Sequence, residues 1–206
     1  MSWSHIPQKS LEFINKILRD LKNYDLDTHD HCVRVSQLCC FLATAAELSE
    51  TETLKAQMAG LLHDVGKRKI PLAVLNKPGK LNDQEYELVK RHSVFSAEMI
   101  EPLDESPFFR EVQLAILHHH ERYDGKGYPL EIQGEAIPYI SRLILIVDTV
   151  DAMAQDRAYR KGLPMDVIYR ELEKYAGTQF DPELVEIFVE AHKKMKPHQR
   201  GAALLQ

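Results

Sequence analysis

Apolar residues recur at helical spacing through most of the chain. Leu11, Ile14, Leu18 and Leu21 follow this spacing, and so do Val35, Leu38, Leu42 and Ala45. Residues 53–62 continue it as a helix that runs into His63 and Asp64. Asn82 followed by Glu85 has the form of a capping box, in which each side chain accepts from the other's backbone N–H. It predicts a helix from there to about residue 100. Further helices are expected over about 108–118 and 139–154. The second has an apolar middle, 143–147, suited to burial. Its β-branched content would also suit a strand, but the pattern extends past Asp151, Ala152 and Met153, which favours a helix. Pro164 and the Asp181-Pro182 pair mark the starts of two more. The punctuated stretches 68–80 and 124–138 are long enough to be functional loops. The fold class expected is all-α, one helical-bundle domain held together by helix-to-helix burial.

Composition narrows this picture. The 206 residues, 44% of them hydrophobic, allow one sizeable core and not two large ones. No apolar run approaches the roughly 18 residues of a membrane span, and residues 1–10 lack a signal-like segment, so a cytoplasmic protein is expected. Cys32, Cys39 and Cys40 are odd in number, form no CxxC pair and fall in an apolar pattern. They read as buried thiols of a reducing compartment. A net charge of −5 argues against binding long nucleic acid non-specifically. A small anionic substrate would need positive charge fixed locally, by metal ions and a few Lys and Arg.

The chemistry-bearing residues cluster in sequence. His118, His119 and His120 directly precede a loop containing Gly125, Gly127 and Pro129. Alone, such a run suits an exposed helix end as well as a metal site. His63-Asp64 ends an apolar helix and leads into Gly66 and Lys67. A carboxylate there could bridge two cations, as in two-metal phosphoryl chemistry. Asp148 interrupts an apolar run, a costly place for a carboxylate unless it binds metal or joins an ion pair. His31 and Arg34 on an earlier helix, and His92, are weak signals singly. His5, His192 and His198 read as surface residues. His31, His63, Asp64, His92, His119, His120 and Asp148 together offer a mixed nitrogen and oxygen set that suits iron, manganese or zinc better than magnesium or calcium. No serine or cysteine sits in a nucleophile motif, so metal-activated water is the better nucleophile.

In order along the chain, these blocks resemble the HD-GYP family of the HD metal-dependent phosphohydrolases. The resemblance runs from about Tyr24 to Phe188. It rests on Thr28-His29-Asp30-His31, Leu62-His63-Asp64-Val65-Gly66-Lys67, Asn76-Lys77-Pro78-Gly79, His92-Ser93, His119 to Pro129, Asp148 to Met153 and Asp156 to Arg160. It implies an N-terminal lead-in over 1–22, a catalytic domain over 23–195 and a frayed tail over 196–206. It also implies hydrolysis of cyclic di-GMP or a related cyclic dinucleotide such as 3′,3′-cyclic GMP-AMP. The resemblance carries metal-ligand roles onto the seven residues above, with Asp64 and Lys67 catalytic and His118 a neighbour. Two divalent ions, iron or manganese, are implied. Asp27 stands where some members place a glutamate for a third. Lys67, Gly127, Tyr128, Arg157 and Arg160 are implied to bind substrate. A diguanylate cyclase or sensory protein as partner, and a homodimer, are compatible with the family. Two other readings are an HD-type phosphohydrolase for a different nucleotide or phosphate ester and a non-catalytic dinucleotide sensor. The filled ligand positions argue against the sensor, and the intact Gly-Tyr-Pro loop against the other hydrolase.

Overall fold

A computed structural model describes residues 3, 6–103, 106–156 and 161–195. Among them, ten α-helices follow one another: α1 (Gln8–Tyr24), α2 (Leu26–Ala45), α3 (Glu50–Leu62), α4 (Leu72–Leu75), α5 (Asp83–Lys90), α6 (His92–Ile100), α7 (Pro107–Leu117), α8 (Tyr139–Ala154), α9 (Met165–Tyr175) and α10 (Pro182–Lys194). Short 3-10 turns cover Val65–Lys69, Glu101–Leu103 and Gly134–Ala136. No strand forms among the described residues, where the one extended pairing is an isolated bridge between Ala176 and Phe180. No helix is long and apolar enough to cross a membrane.

The centre is built by α2, α3, α7 and α8. Helix α2 packs along α3 and α8, and α3 also along α7. Their apolar stripes supply fully buried Val35, Leu38, Leu42, Met58, Leu62, Ile116, Leu143, Ile144 and Val147. The middle of α8 is a buried helix, as its run of apolar residues predicts. The stretch 1–22, read as a lead-in, contributes Ile14, Ile17 and Leu21 to the same core through α1.

Both ends of α3 are set by local chemistry. Ser49 and Glu52 form a capping box, so the helix begins at Glu50, ahead of the apolar stretch that predicted it. The capping box of Asn82 and Glu85 forms as expected. The single helix expected to run on to residue 100 does not. It breaks at Arg91, whose N–H bonds back to the Leu88 carbonyl at 3.2 Å, three residues away, tightening the last turn of α5. His92 then opens α6.

His192 corrects another expectation. It is fully buried, because α10 turns Leu184, Val185, Phe188, Val189 and His192 onto one inward stripe. Its ring stacks on Phe188 with centroids 5.5 Å apart, and its Nδ1 lies 2.7 Å from the Tyr169 hydroxyl. Cys32 and Cys39 are buried free thiols as expected, and Cys40 is partly buried. His5, His198, Arg157, Arg160 and the tail from 196 lie outside the described residues.

Candidate metal centre

Histidines near the ends of three helices share one local device. His63 caps α3, and its Nδ1–H donates to the Gly60 carbonyl at 2.7 Å. His92 follows α5 and donates to the Val89 carbonyl at 2.7 Å. His119 follows α7 and donates to the Ile116 carbonyl at 2.6 Å. Each ring thus takes a carbonyl from its own last helical turn, which fixes the tautomer and leaves Nε2 as a bare lone pair. His31, inside α2, reaches the same tautomer differently. Its Nδ1 donates to Asp151 Oδ2 of α8 at 2.7 Å.

The freed Nε2 atoms converge. His92 Nε2 lies 3.2 Å from His119 Nε2 and 3.1 Å from His120 Nε2. With both Nδ1 protons of His92 and His119 already committed, their facing lone pairs cannot bond to one another. Nitrogens about 2.0–2.1 Å from one metal ion sit at this kind of mutual spacing. A second group joins His31, His63 and Asp64. Asp148 belongs with it, its Oδ1 being 3.0 Å from His31 Nε2.

Asp64 stands between the two groups. Its Oδ2 lies 3.6 Å from His31 Nε2 and 3.4 Å from His63 Nε2, while its Oδ1 lies 3.2 Å from His92 Nε2. Each oxygen therefore faces a different cluster. Asp64 Oδ1 and His63 Nε2 are buried with no hydrogen-bond partner. Orphaned polar atoms of this kind are costly in a protein interior unless a cation satisfies them. The donor set fits divalent metal ions.

Electrostatics agree. Burial, with His120, His63 and His92 nearby, pushes His119 well below its ordinary value. Burial carries His92 down to about 4 and His120 to about 3. All three are neutral near pH 7, the form that donates a lone pair. Burial opposes charge on Asp64, but Lys67 and His63 outweigh it and hold the carboxyl well below the usual range. Burial is outweighed at Asp148 too, where His31 keeps the carboxyl low. At His63 the pull of Asp64 overcomes burial and raises the ring well above its ordinary value. This corner of the site attracts positive charge, whether a proton or a metal.

Two glycines let backbone come close. A Cβ on Gly66 would stand 2.4 Å from the His92 carbonyl oxygen, so the turn after Asp64 rests directly on the start of α6. A Cβ on Gly127 would stand 2.3 Å from the Arg122 nitrogen, so the Gly-Tyr-Pro loop folds back over His120 and Glu121. The Tyr128 N–H then donates to the His120 carbonyl at 3.2 Å, and the Tyr128 ring stacks on His120 with centroids 4.8 Å apart. The buried Glu121 holds the far side of the loop, accepting from the Leu130 N–H at 2.6 Å.

The expected site residues are therefore mostly together. His31, His63, Asp64, His92, His119, His120 and Asp148 converge, with Lys67 Nζ 2.5 Å from Asp64 Oδ2 and Tyr128 alongside. His118 lies outside both groups, buried, with Nδ1 3.7 Å from Glu121 Oε1. Asp27 is exposed in the first turn of α2 and is not in either group.

Sequence reasoning missed Asp151. It is 1% exposed, orients His31, and is held in turn by Arg34, whose Nε and Nη2 donate at 2.7 and 3.0 Å. Its one sequence signal was a second carboxylate one turn beyond Asp148 on a buried helix. Carboxylates behind ligating histidines typically carry about 10–100-fold in metal affinity. We expect Asp151→Ala to weaken Mn(II) binding by about that factor in a chelator competition, with helix content retained by circular dichroism. Affinity within twofold of wild type would show that His31 needs no such support.

The HD domain family profile matches residues 14–184. A cyclic di-GMP phosphodiesterase of Pseudomonas aeruginosa is 41% identical over 171 residues, covering 83% of this chain and 41% of that protein. A cyclic di-GMP phosphodiesterase of Thermotoga maritima is 35% identical over 181 residues, covering 87% of this chain and 49% of that protein. The chain thus spans less than half the length of these relatives. Among solved structures, a cyclic GMP-AMP-specific phosphodiesterase of V. cholerae superposes with a TM-score of 0.65 at 21% identity, covering 84% of this chain and 45% of that one, a likeness of fold. The histidine–aspartate pair ending α3, the helical bundle around it and the profile match over most of the residues agree: this chain belongs to the HD domain family.

Proposed function

We propose that this chain hydrolyses a phosphodiester bond of a bacterial cyclic dinucleotide, cyclic di-GMP or 3′,3′-cyclic GMP-AMP. The observation that carries the reading is the two ligand groups sharing Asp64, one oxygen toward each. The names of the relatives supply the substrate class.

In this reading His31, His63 and Asp148 would hold one divalent ion and His92, His119 and His120 another, with Asp64 between them. Iron or manganese suits the mixed nitrogen and oxygen donors. Bound there, such ions supply positive charge against the phosphate and make water acidic enough to attack. Asp27, one helical turn before His31, is the residue that would join a third ion.

The remaining work falls to the chain's own side chains. Asp64 orients the attacking water through its position between the clusters. Lys67 keeps its ammonium beside Asp64, where phosphate charge grows, and offsets that charge or protonates the leaving ribose oxygen. The Tyr128 phenol, pushed up by burial, stays neutral and offers a flat wall for a nucleobase. Arg157 and Arg160 are proposed to position the phosphates.

The test is turnover of protein loaded anaerobically with Fe(II) or Mn(II) on cyclic di-GMP, 3′,3′-cyclic GMP-AMP and bis(p-nitrophenyl) phosphate. We expect a linear dinucleotide as the first product, with activity lost on chelation and restored by the metal. Cleavage of the generic diester alone would point to another phosphohydrolase. Tight dinucleotide binding with no product would point to a sensor.

A further inference from the structure

Beside the metal centre, the rim carries an aromatic and cationic ledge that the two ligand groups do not use. Tyr128 is stacked on His120 on its inner side. Lys90, at the end of α5, places its ammonium 5.9 Å from the Tyr128 ring centroid and 5.4 Å from that of Tyr86. The cation thus links a ring at the histidine cluster to a ring outside it. Tyr86 is 53% exposed and sits one turn before Lys90 on the same helix face. Lys90 also pairs with Glu87, at 2.6 Å, a mostly exposed carboxylate that binds weakly in water and exchanges readily for a phosphate, and it feels the charge of Glu131.

We propose that Tyr86 and Lys90 form a second nucleotide subsite, which takes the purine base and phosphate of the dinucleotide half not at the metals. The inference rests on the cyclic-dinucleotide reading above. Every nucleobase offers a π-face, so an exposed ring beside a cation suits a base followed by its phosphate. A cyclic dinucleotide has two such halves, and Tyr128 beside the two ligand groups would engage one of them. The ledge runs from Tyr128 through Lys90 to the exposed Tyr86. Lys90 also answers the charge problem of an acidic protein with an anionic ligand, since it adds a fixed positive group next to the clusters. A small diester has no second half and gains nothing from the ledge.

The test compares Tyr86→Ala, Tyr86→Phe and Lys90→Gln in the Mn(II)-loaded protein, on whichever cyclic dinucleotide is cleaved and on methyl p-nitrophenyl phosphate, whose one aromatic ring is the leaving group. Loss of one stacked base typically weakens binding about 5- to 150-fold. We expect Tyr86→Ala and Lys90→Gln to raise KM for the dinucleotide within that range while kcat changes little. The loss should exceed that on the small diester by about tenfold, and Tyr86→Phe should restore KM. Equal losses on both substrates, or an unchanged dinucleotide KM, overturn the subsite. If the wild type cleaves neither dinucleotide, the hydrolytic reading fails on its own. The subsite is then judged by equilibrium binding of cyclic di-GMP to the same variants. Weaker binding by Tyr86→Ala and Lys90→Gln upholds it; equal binding, or none by the wild type, overturns it.

Discussion

Asp64→Ala is expected to abolish turnover and strip metal from the protein, the largest functional effect expected of any single change. The carboxylate faces both ligand groups, so its removal opens each cluster at once. It also frees Lys67, whose ammonium it holds at 2.5 Å. Metal ions typically supply several kcal/mol of transition-state stabilisation, and each 1.36 kcal/mol is about tenfold in rate. A loss of about a thousandfold or more is expected, with metal content by elemental analysis falling in parallel. Asp64→Asn keeps the shape and one neutral oxygen ligand, so it should fold like wild type and retain part of the metal. An Asp64→Ala protein with near-full activity and metal would disprove the shared-carboxylate arrangement.

A large effect on stability is expected of Gly66→Ala, at the turn beside Asp64. The added methyl would meet the His92 carbonyl oxygen and the Ser96 nitrogen, each at 2.4 Å, and both are backbone atoms with little room to yield. The Gly66 N–H also donates to Ser96 Oγ at 2.8 Å, a bond that would break if the turn lifted away. Overpacking typically costs about 1–3 kcal/mol and a buried unpaired N–H a comparable amount. We expect a loss of about 3 kcal/mol, read as a lower urea midpoint at unchanged slope. Because the turn links Asp64 to α6, metal uptake should fall as well. A midpoint equal to wild type would mean that α6 and the turn are not in contact.

Much of this arrangement was legible in the residues, for identifiable reasons. Capping chemistry is local, so Asn82 with Glu85 announced a helix start correctly. Asp148 stood out because a carboxylate inside an apolar run needs a partner, and that partner is His31 at 3.0 Å. The break at Arg91 was not legible. Nothing in the residues 83–100 signals it, and it arises where the Val89 carbonyl is taken by the His92 ring. Asp151 was silent for a different reason. Its meaning depends on His31 and Arg34, more than a hundred positions earlier, and on α2 docking against α8. His192 misled because its polar neighbours in sequence point outward while it turns in with Phe188. Pairings across helices carry no local pattern, and the ledge of Tyr86, Lys90 and Tyr128 belongs to the same class.

The rings of His63, His92 and His119 each bond a carbonyl at the C-terminal end of a helix. Those ends carry the negative pole of the helix macrodipole, equivalent to about half an elementary charge each. The negative poles of α3 and α7 therefore meet at the site before any carboxylate is counted, while at His92 the pole of α5 is offset by the opposite, N-terminal pole of α6. The bundle itself favours a cation there, and Asp64 and Asp148 add to a field the backbone has already set. It also divides the site by how it forms. Three of its rings are oriented as soon as their own helices close, whereas His31 waits for α8 to arrive, so the His31 side should be the first to lose metal when the bundle loosens.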